Sequence, residues 1–288
     1  MSIESQPRVA VLGLGTMGTG MAHRIAEAGL QLTVWNRSAG RTAGFAEIAT
    51  AADSPAQAVA TADVVVTMLF DADAVAAVMA EALPAMRPGA VWVQTSTIGV
   101  DASRRFAEQA AQAGIGYLDA PVLGTKGPAA AGTLTVLAAG SDEVLTQARP
   151  VLAAISAKTV RAGDAAPAGS ALKVAINAWL ALITAGMAQS LSIAAATGID
   201  PSLVLEAMDG AAVDSVYARM KGTAMLLGDF APQFEVAAVL KDVRLAIAAA
   251  PQVPQELLSG LETVYQRTVD AGGGHDDIAA VWKAFQRR

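Results

Sequence analysis

The sequence predicts an α/β protein: a doubly wound, mostly parallel sheet followed by a second, all-α domain. Three observations predict it. Short apolar runs alternate with helix-patterned segments from Arg8 to about Gly163, a glycine turn follows the first run, and no strand-like run recurs beyond Gly163. A length of 288 residues suits two domains, placed here at 1–164 and 165–288.

The elements follow in order. RVAVLGLG is a strand ending in glycines, and Met21, Ile25 and Ala28 carry the helix after it. Next come the strand QLTVWN, a helix expected from Ala39 to Ile48, the strand DVVVTMLF, a helix from Ala72 to Met79, the strand AVWVQTS and a helix from Asp101 to Ala113. GYLDAPV and GTLTVLAAG add strands. SDEVLTQARPVLAAI is a helix that Ser141 caps, with acidic residues in its first turn, and KTVRAG is the last strand. From Ala166 to Thr197 a single helix of about 48 Å is expected, at about 1.5 Å per residue. Trp179, Leu180, Leu182 and Ile183 make it apolar on most of its circumference. Such a helix needs partners all round, so Trp179, Met187, Met208 and Met220 are read as packing residues and a homodimer through the helical domain is expected.

Composition narrows the function. The chain is 53% hydrophobic, 16% charged and 5% aromatic, a globular profile, and its net charge of −6 with a pI near 5.0 offers no basic surface for nucleic acid. With no cysteine and two histidines, disulfides, thiolate chemistry and a three-histidine metal site are excluded, and no metal is expected. MSIESQP lacks a signal-peptide pattern, and Lys173, Asn177, Thr184, Gln189 and Ser190 interrupt the stretch from Ala171 to Ile199. A cytoplasmic protein without a membrane partner is therefore expected.

GLGTMG sets Gly13, Gly15 and Gly18 in G-x-G-x-x-G spacing between a strand and a helix, a Rossmann-like dinucleotide fingerprint. The first glycine allows the turn, the second lets a pyrophosphate approach the backbone, and the third lets helix and strand pack. Leu14, Thr16 and Met17 complete the loop. At the end of the second strand an NAD site would carry a carboxylate, and this chain has Asn36, Arg37 and Ser38, with Arg41 following. A guanidinium suits a 2′-phosphate, so the expected cofactor is NADP; Leu69 is a further contact. Lys173 and Asn177 lie four apart on one helix face, one turn after Gly169. A lysine and an amide on a mostly apolar face are expected to border a cleft, although a lysine whose amine reaches solvent fits the spacing alone equally well. His23 reads as a helix-surface residue.

In order along nearly the whole chain, GLGTMG with GMA, NRS, TSTI at Thr95 to Ile98, DAPVLGTKGPAAAGTL, GSALKVAINAWL and LKDVRLA resemble the successive signatures of the β-hydroxyacid dehydrogenase family. That family includes 3-hydroxyisobutyrate dehydrogenases and glyoxylate or succinic semialdehyde reductases. The resemblance implies a dinucleotide-binding domain joined to a dimerising helical domain, with hydride transfer between nicotinamide and a small hydroxyacid or the matching carbonyl compound. It makes Lys173 the catalytic lysine and Asn177 the amide that orients it. It places Thr97 near the nicotinamide, Lys241 toward the cofactor, and Gly124 and Thr125 at the substrate carboxylate. Phe234 is expected among the substrate contacts.

Two departures stand out. The family's DAPVSGG reads DAPVLGT, so Leu123 replaces a serine and carboxylate recognition falls to Thr125, Lys126 or backbone N–H groups. The usual G-x-G-D-x-D reads GGGHDD, with His275 in place of an aspartate; a lone histidine in a glycine turn reads as solvated or structural before catalytic. The alternatives are an imine reductase on the same fold, which usually carries aspartate or tyrosine at the Lys173 position, and a non-catalytic NADP-binding module, which typically lacks the lysine and gains basic tails.

Overall fold

Why the apolar runs become a parallel sheet is visible in their burial. The computed structural model describes residues 6–286. In it β1 (Val9–Leu12) is buried at every position and is followed by α1 (Thr16–Glu27), β2 (Leu32–Trp35), β3 (Thr50–Ala51), α2 (Pro55–Val59) and β4 (Val64–Thr67). Then come α3 (Ala72–Ala82), β5 (Val91–Gln94), α4 (Val100–Gln112), β6 (Gly116–Asp119) and β7 (Val122–Leu123). The unit ends with α5 (Lys126–Ala131), β8 (Leu134–Ala139), α6 (Asp142–Ile155) and β9 (Ser156–Gly163). β1, β4 and β5 are buried throughout because helices cover both faces.

The strand order is β3-β2-β1-β4-β5-β6-β8-β7, with β9 beside β8. Pairing is parallel from β3 to β6, antiparallel where β8 meets β6 and β7, and parallel again at β9. Alternation along the strands divides the core. Val9 and Val11 with Val64, Val66, Val91 and Val93 pack under Met21 and Ile25 of α1 and Val151 and Ile155 of α6. Ala10 and Leu12 with Val65 and Trp92 pack against Val75 and Met79 of α3 and Phe106 and Ala110 of α4. Ser141 caps α6 as its sequence predicts, accepting the Val144 N–H at 3.3 Å.

The helix expected from Ala39 to Ile48 does not form. Its place is taken by two 3₁₀ turns, Ala39–Arg41 and Ala43–Phe45, because Gly40 and Gly44 weaken helical continuity. Phe45 is buried, and His23, instead of lying on an open helix surface, stacks on its ring at 4.5 Å between centroids.

The chain divides after Lys173 into two compact units. The cut falls inside α7 (Ala168–Ala196), so the first turns of that helix belong to the first unit. The second unit holds the rest of α7 with α8 (Ser202–Met208), α9 (Val216–Leu227), α10 (Val236–Ala249) and α11 (Glu256–Thr268), then a short π turn and a 3₁₀ segment at Ile278–Ala284. Ala181, Ala188 and Leu191 of α7 meet Met225, Val239, Val243, Tyr265 and Val281 in its core. By length and composition alone α7 is apolar enough to cross a membrane, but Lys173, Asn177 and Thr184 on it are buried in protein. Two packing expectations need correction. Met187 is buried, whereas Trp179 is 60% and Met220 52% exposed, since the helices of this unit leave one side of α7 and of α9 uncovered.

Candidate functional site

The glycine loop is held by backbone contacts. Gly13 has φ +106°, and a Cβ there would lie 2.3 Å from the Met68 carbonyl oxygen. A Cβ on Gly18 would come within 2.0 Å of the Gly13 carbonyl oxygen. Both glycines are therefore demanded by the fold. Gly15 differs: a Cβ there would meet nothing within 4 Å, so the protein itself leaves a cradle over this peptide. α1 starts beside it with no side-chain cap and no acidic residue in its first turn, which leaves its positive end for an anion.

Asn36 and Arg41 brace this loop. Asn36 Oδ1 accepts the Leu14 N–H at 2.9 Å, its Nδ2 donates to the Ser38 carbonyl at 3.2 Å, and Arg41 Nη1 donates to the Leu14 carbonyl at 3.1 Å. Leu14 itself is a core residue, and Thr16 is exposed at the start of α1, with Met17 half-buried after it. Gly13, Gly15, Asn36, Arg37, Ser38, Arg41 and Leu69 line one groove of about 680 Å³ with Trp35, Phe70 and Asp71. It opens at the carboxyl ends of β2, β1 and β4, where the strand order reverses and open α/β sheets bind ligands. Arg37 is exposed there, and among the described residues no carboxylate pairs with it. An open cradle, an uncapped helix end and an arginine beside them fit a dinucleotide phosphate.

A buried polar net fixes the next rim. Trp92 Nε1 donates to Thr67 Oγ1 at 2.9 Å, that hydroxyl donates to Gln94 Oε1 at 3.1 Å, and Gln94 in turn holds the Ser96 N–H and carbonyl at 2.9 and 2.8 Å. Ser96 Oγ accepts the Leu69 N–H at 2.8 Å, which sets the chain beside Phe70. Thr97, half-buried, follows directly. TSTI drew attention for Thr97, and its first two residues turn out to be the fasteners: Thr95 Oγ1 donates to the Thr67 carbonyl at 2.7 Å.

Gly124 and Thr125 form a separate turn between Leu123, which ends β7, and Lys126, which opens α5. Gly124 has φ +128°, and a Cβ there would lie 2.7 Å from Leu134 Cδ2. Thr125 sits at the N-cap position of α5 without capping it. Lys173 is 8% exposed on α7.

In the second unit Asn177 is 3% exposed, and its Nδ2 donates to Asp242 Oδ2 at 2.5 Å. Asp242 Oδ1 also accepts from Lys241 Nζ at 2.6 Å. A carboxylate only accepts, so it dictates which way the Asn177 amide faces, and Asn177 Oδ1 is left buried without a hydrogen bond. Sequence reading named Lys241 and missed Asp242, its neighbour in LKDVRLA. Asp277 organises the approach to Phe234: it pairs with Lys221 Nζ at 2.7 Å and accepts the Gln233, Phe234 and Ala279 N–H groups at 3.0, 3.2 and 3.1 Å. His275 is 94% exposed in its side chain and meets Glu235 at 3.0 Å, a solvated residue. Among the described residues no cluster could hold a metal ion.

Comparisons with known proteins agree with this fold. Residues 8–163 match the model for the NAD binding domain of 6-phosphogluconate dehydrogenase, and residues 167–285 that for the NAD-binding of NADP-dependent 3-hydroxyisobutyrate dehydrogenase. The uncharacterized oxidoreductase YfjR of Bacillus subtilis is 33% identical, over 97% of this chain and 100% of that protein. L-threonate dehydrogenase of Cupriavidus necator is 30% identical, over 96% and 95%. The structure of 3-hydroxyisobutyrate dehydrogenase from Mycobacterium tuberculosis with L-serine superposes with a TM-score of 0.90 at 30% identity, covering 98% of this chain and 100% of that one. With a dinucleotide fingerprint, a helical second unit and both family models in place, the chain belongs to the β-hydroxyacid dehydrogenase family of NAD(P)-dependent oxidoreductases.

Proposed function

We propose that this protein is an NADP-dependent dehydrogenase or reductase of small β-hydroxyacids and the corresponding aldehydes or keto acids, with Lys173 as general acid and base. The observation that carries the reading is a lysine only 8% exposed, one helical turn before a buried asparagine whose orientation a carboxylate dictates. A bound nicotinamide supplies or accepts the hydride. In reduction the Lys173 ammonium stabilises the alkoxide forming on the substrate carbonyl oxygen and gives it a proton; in oxidation the neutral amine takes the hydroxyl proton. Asn177 keeps the polar geometry of that helix face, and Thr125, Lys126 and backbone N–H groups take the substrate carboxylate. Arg37 and Ser38, at a strand end without a carboxylate, support NADP over NAD.

The test is turnover of a panel of short hydroxyacids, semialdehydes and cyclic imines with each cofactor. Lys173→Ala should lower turnover by about 10²–10⁴-fold while NADP affinity is kept. A Lys173→Ala enzyme working at near wild-type rate would move the imine reductase reading ahead, and no turnover of any compound would favour a binding module. Arg37→Ala should weaken NADP by about 1.5–3 kcal/mol and leave NAD little changed, since only NADP carries the phosphate. We also propose a homodimer through the helical unit. Trp179, Ile193, Val216 and Leu227, which are 57–87% exposed, support it, and a folded, active monomer at nanomolar concentration in light scattering would refute it.

A further inference from the structure

Asp119 closes β6, and its side chain is fully buried. Oδ2 accepts the Ser170 N–H at 2.7 Å and Oδ1 accepts the Ser170 hydroxyl at 2.7 Å, and the Gly169 N–H and the Ser103 hydroxyl add weaker favourable interactions. Burial pushes the Asp119 carboxyl above its ordinary pKa, while hydrogen bonds from Ser170, with smaller ones from Ser103 and the Gly169 N–H, pull it back. A buried carboxylate is costly, so its place here calls for a reason.

That reason lies in α7. The first N–H groups of a helix have no intrahelical partner, and the Ser170 N–H is one of them. Asp119 satisfies it from the sheet, at the helix end where a negative charge is favoured. The contact is also sterically tight. A Cβ on Gly169 would lie 2.5 Å from the Leu137 carbonyl oxygen and 2.6 Å from that of Asp119, so the helix backbone rests directly on β6 and β8. Two short bonds to one residue and a glycine contact beside them fix both the rotation and the height of the first turn. Lys173 follows three residues later, about 4.5 Å along the axis.

We infer that Asp119, acting through Ser170, is the positioning residue for Lys173: it pins the start of α7 to the sheet so that the amine arrives at one place. The inference rests on the proton-transfer role proposed for Lys173. Asp119 touches no reacting atom, so its removal should act only by letting the lysine wander.

A double-mutant cycle on the full chain tests this, with NADP and 3-hydroxyisobutyrate, or the best substrate of the panel, as probe. Ser170→Ala and Asp119→Asn should each lower kcat by about 10–10²-fold, the scale of a displacement of roughly 1 Å, with NADP affinity unchanged by fluorescence titration. In a Lys173→Ala background Ser170→Ala should cost nothing more, because the lysine it positions is gone. Amides at the start of α7 should exchange hydrogen faster in both variants. An equal loss from Ser170→Ala in the two backgrounds overturns the positioning role, because a general structural defect would act in both. Wild-type kcat in both single variants also overturns it and leaves the reading of Lys173 intact. Near wild-type turnover by Lys173→Ala removes that reading itself, and the positioning role with it.

Discussion

The glycine groove of the first unit and the polar sites of the second are held by different means. In the first, the groove at β1, β2 and β4 is shaped by the backbone: Gly13 and Gly18 exist because a Cβ would strike a carbonyl oxygen, and Asn36 and Arg41 tie the loop through main-chain atoms. In the second, shape comes from buried charge. Asp277 gathers Lys221 and three backbone N–H groups, and Asp242 gathers Asn177 and Lys241. A groove built from backbone stays open whatever the charge state around it. A site built on buried carboxylates depends on every partner being present, because each lost partner leaves a charge uncompensated.

The sharpest test of that contrast is Lys221→Met. Lys221 and Asp277 are 4% and 2% exposed in their side chains, so removing the ammonium strands a buried carboxylate. Unfolding by denaturant should show a loss of about 3–5 kcal/mol, the cost of breaking a buried pair from one side. Lys221→Met with Asp277→Asn should recover part of it. A single variant within about 0.5 kcal/mol of wild type would mean that the N–H donors alone hold Asp277, and the contrast between the units would fail.

The same contrast explains what could be read from the sequence. The sheet was legible because each strand is a short apolar run, and the groove because glycine spacing is a local signal. Helical spacing put Lys173 and Asn177 on one face, and the family resemblance of GSALKVAINAWL singled them out. Asp242 and Asp119 were not legible, since Asn177 and Ser170, which they hold, lie 65 and 51 residues away and nothing local marks a carboxylate as buried. Asn36 was read as a ligand contact, and its hydrogen bond to Leu14, 22 residues back, shows it is first a brace. The Ala39–Ile48 helix failed on two glycines whose effect an alanine-rich stretch concealed. Trp179 was read as packing from its apolarity alone, yet covering it requires neighbours that this chain does not supply.

A smaller effect separates glycines that the fold needs from one left for a ligand. Gly18→Ala should cost stability by about 1–3 kcal/mol, because its methyl would meet a backbone oxygen that cannot move aside, and should abolish NADP binding. Gly15→Ala places its methyl in open space at φ −69°, which alanine adopts freely, so melting should be nearly unchanged. NADP affinity should nonetheless drop, since the methyl occupies the cradle. Thermal melts paired with fluorescence titration of NADPH check both. A Gly15→Ala protein that binds as tightly as wild type would show that the phosphates do not lie over this peptide.

The smallest effect is a pH dependence, and it asks whether a buried carboxylate in the first unit behaves like those in the second. Burial raises the Asp119 carboxyl in the folded protein, so the native state keeps its proton at pH values where the unfolded chain has lost it. The stability this group contributes is then fully present below the ordinary carboxylate pKa, about 3.9, and is lost as pH rises through the raised value. Asp119→Asn cannot titrate. The stability of wild type minus that of Asp119→Asn should therefore fall as pH climbs from about 4, then level off once the native carboxyl has ionised. Denaturant midpoints of both proteins across that range measure it. If the difference instead grows with pH, the hydrogen-bond donors around it, Ser170 foremost, outweigh burial and hold the carboxyl below its usual value, and Asp119 would then belong with Asp277 as a carboxylate stabilised by its partners.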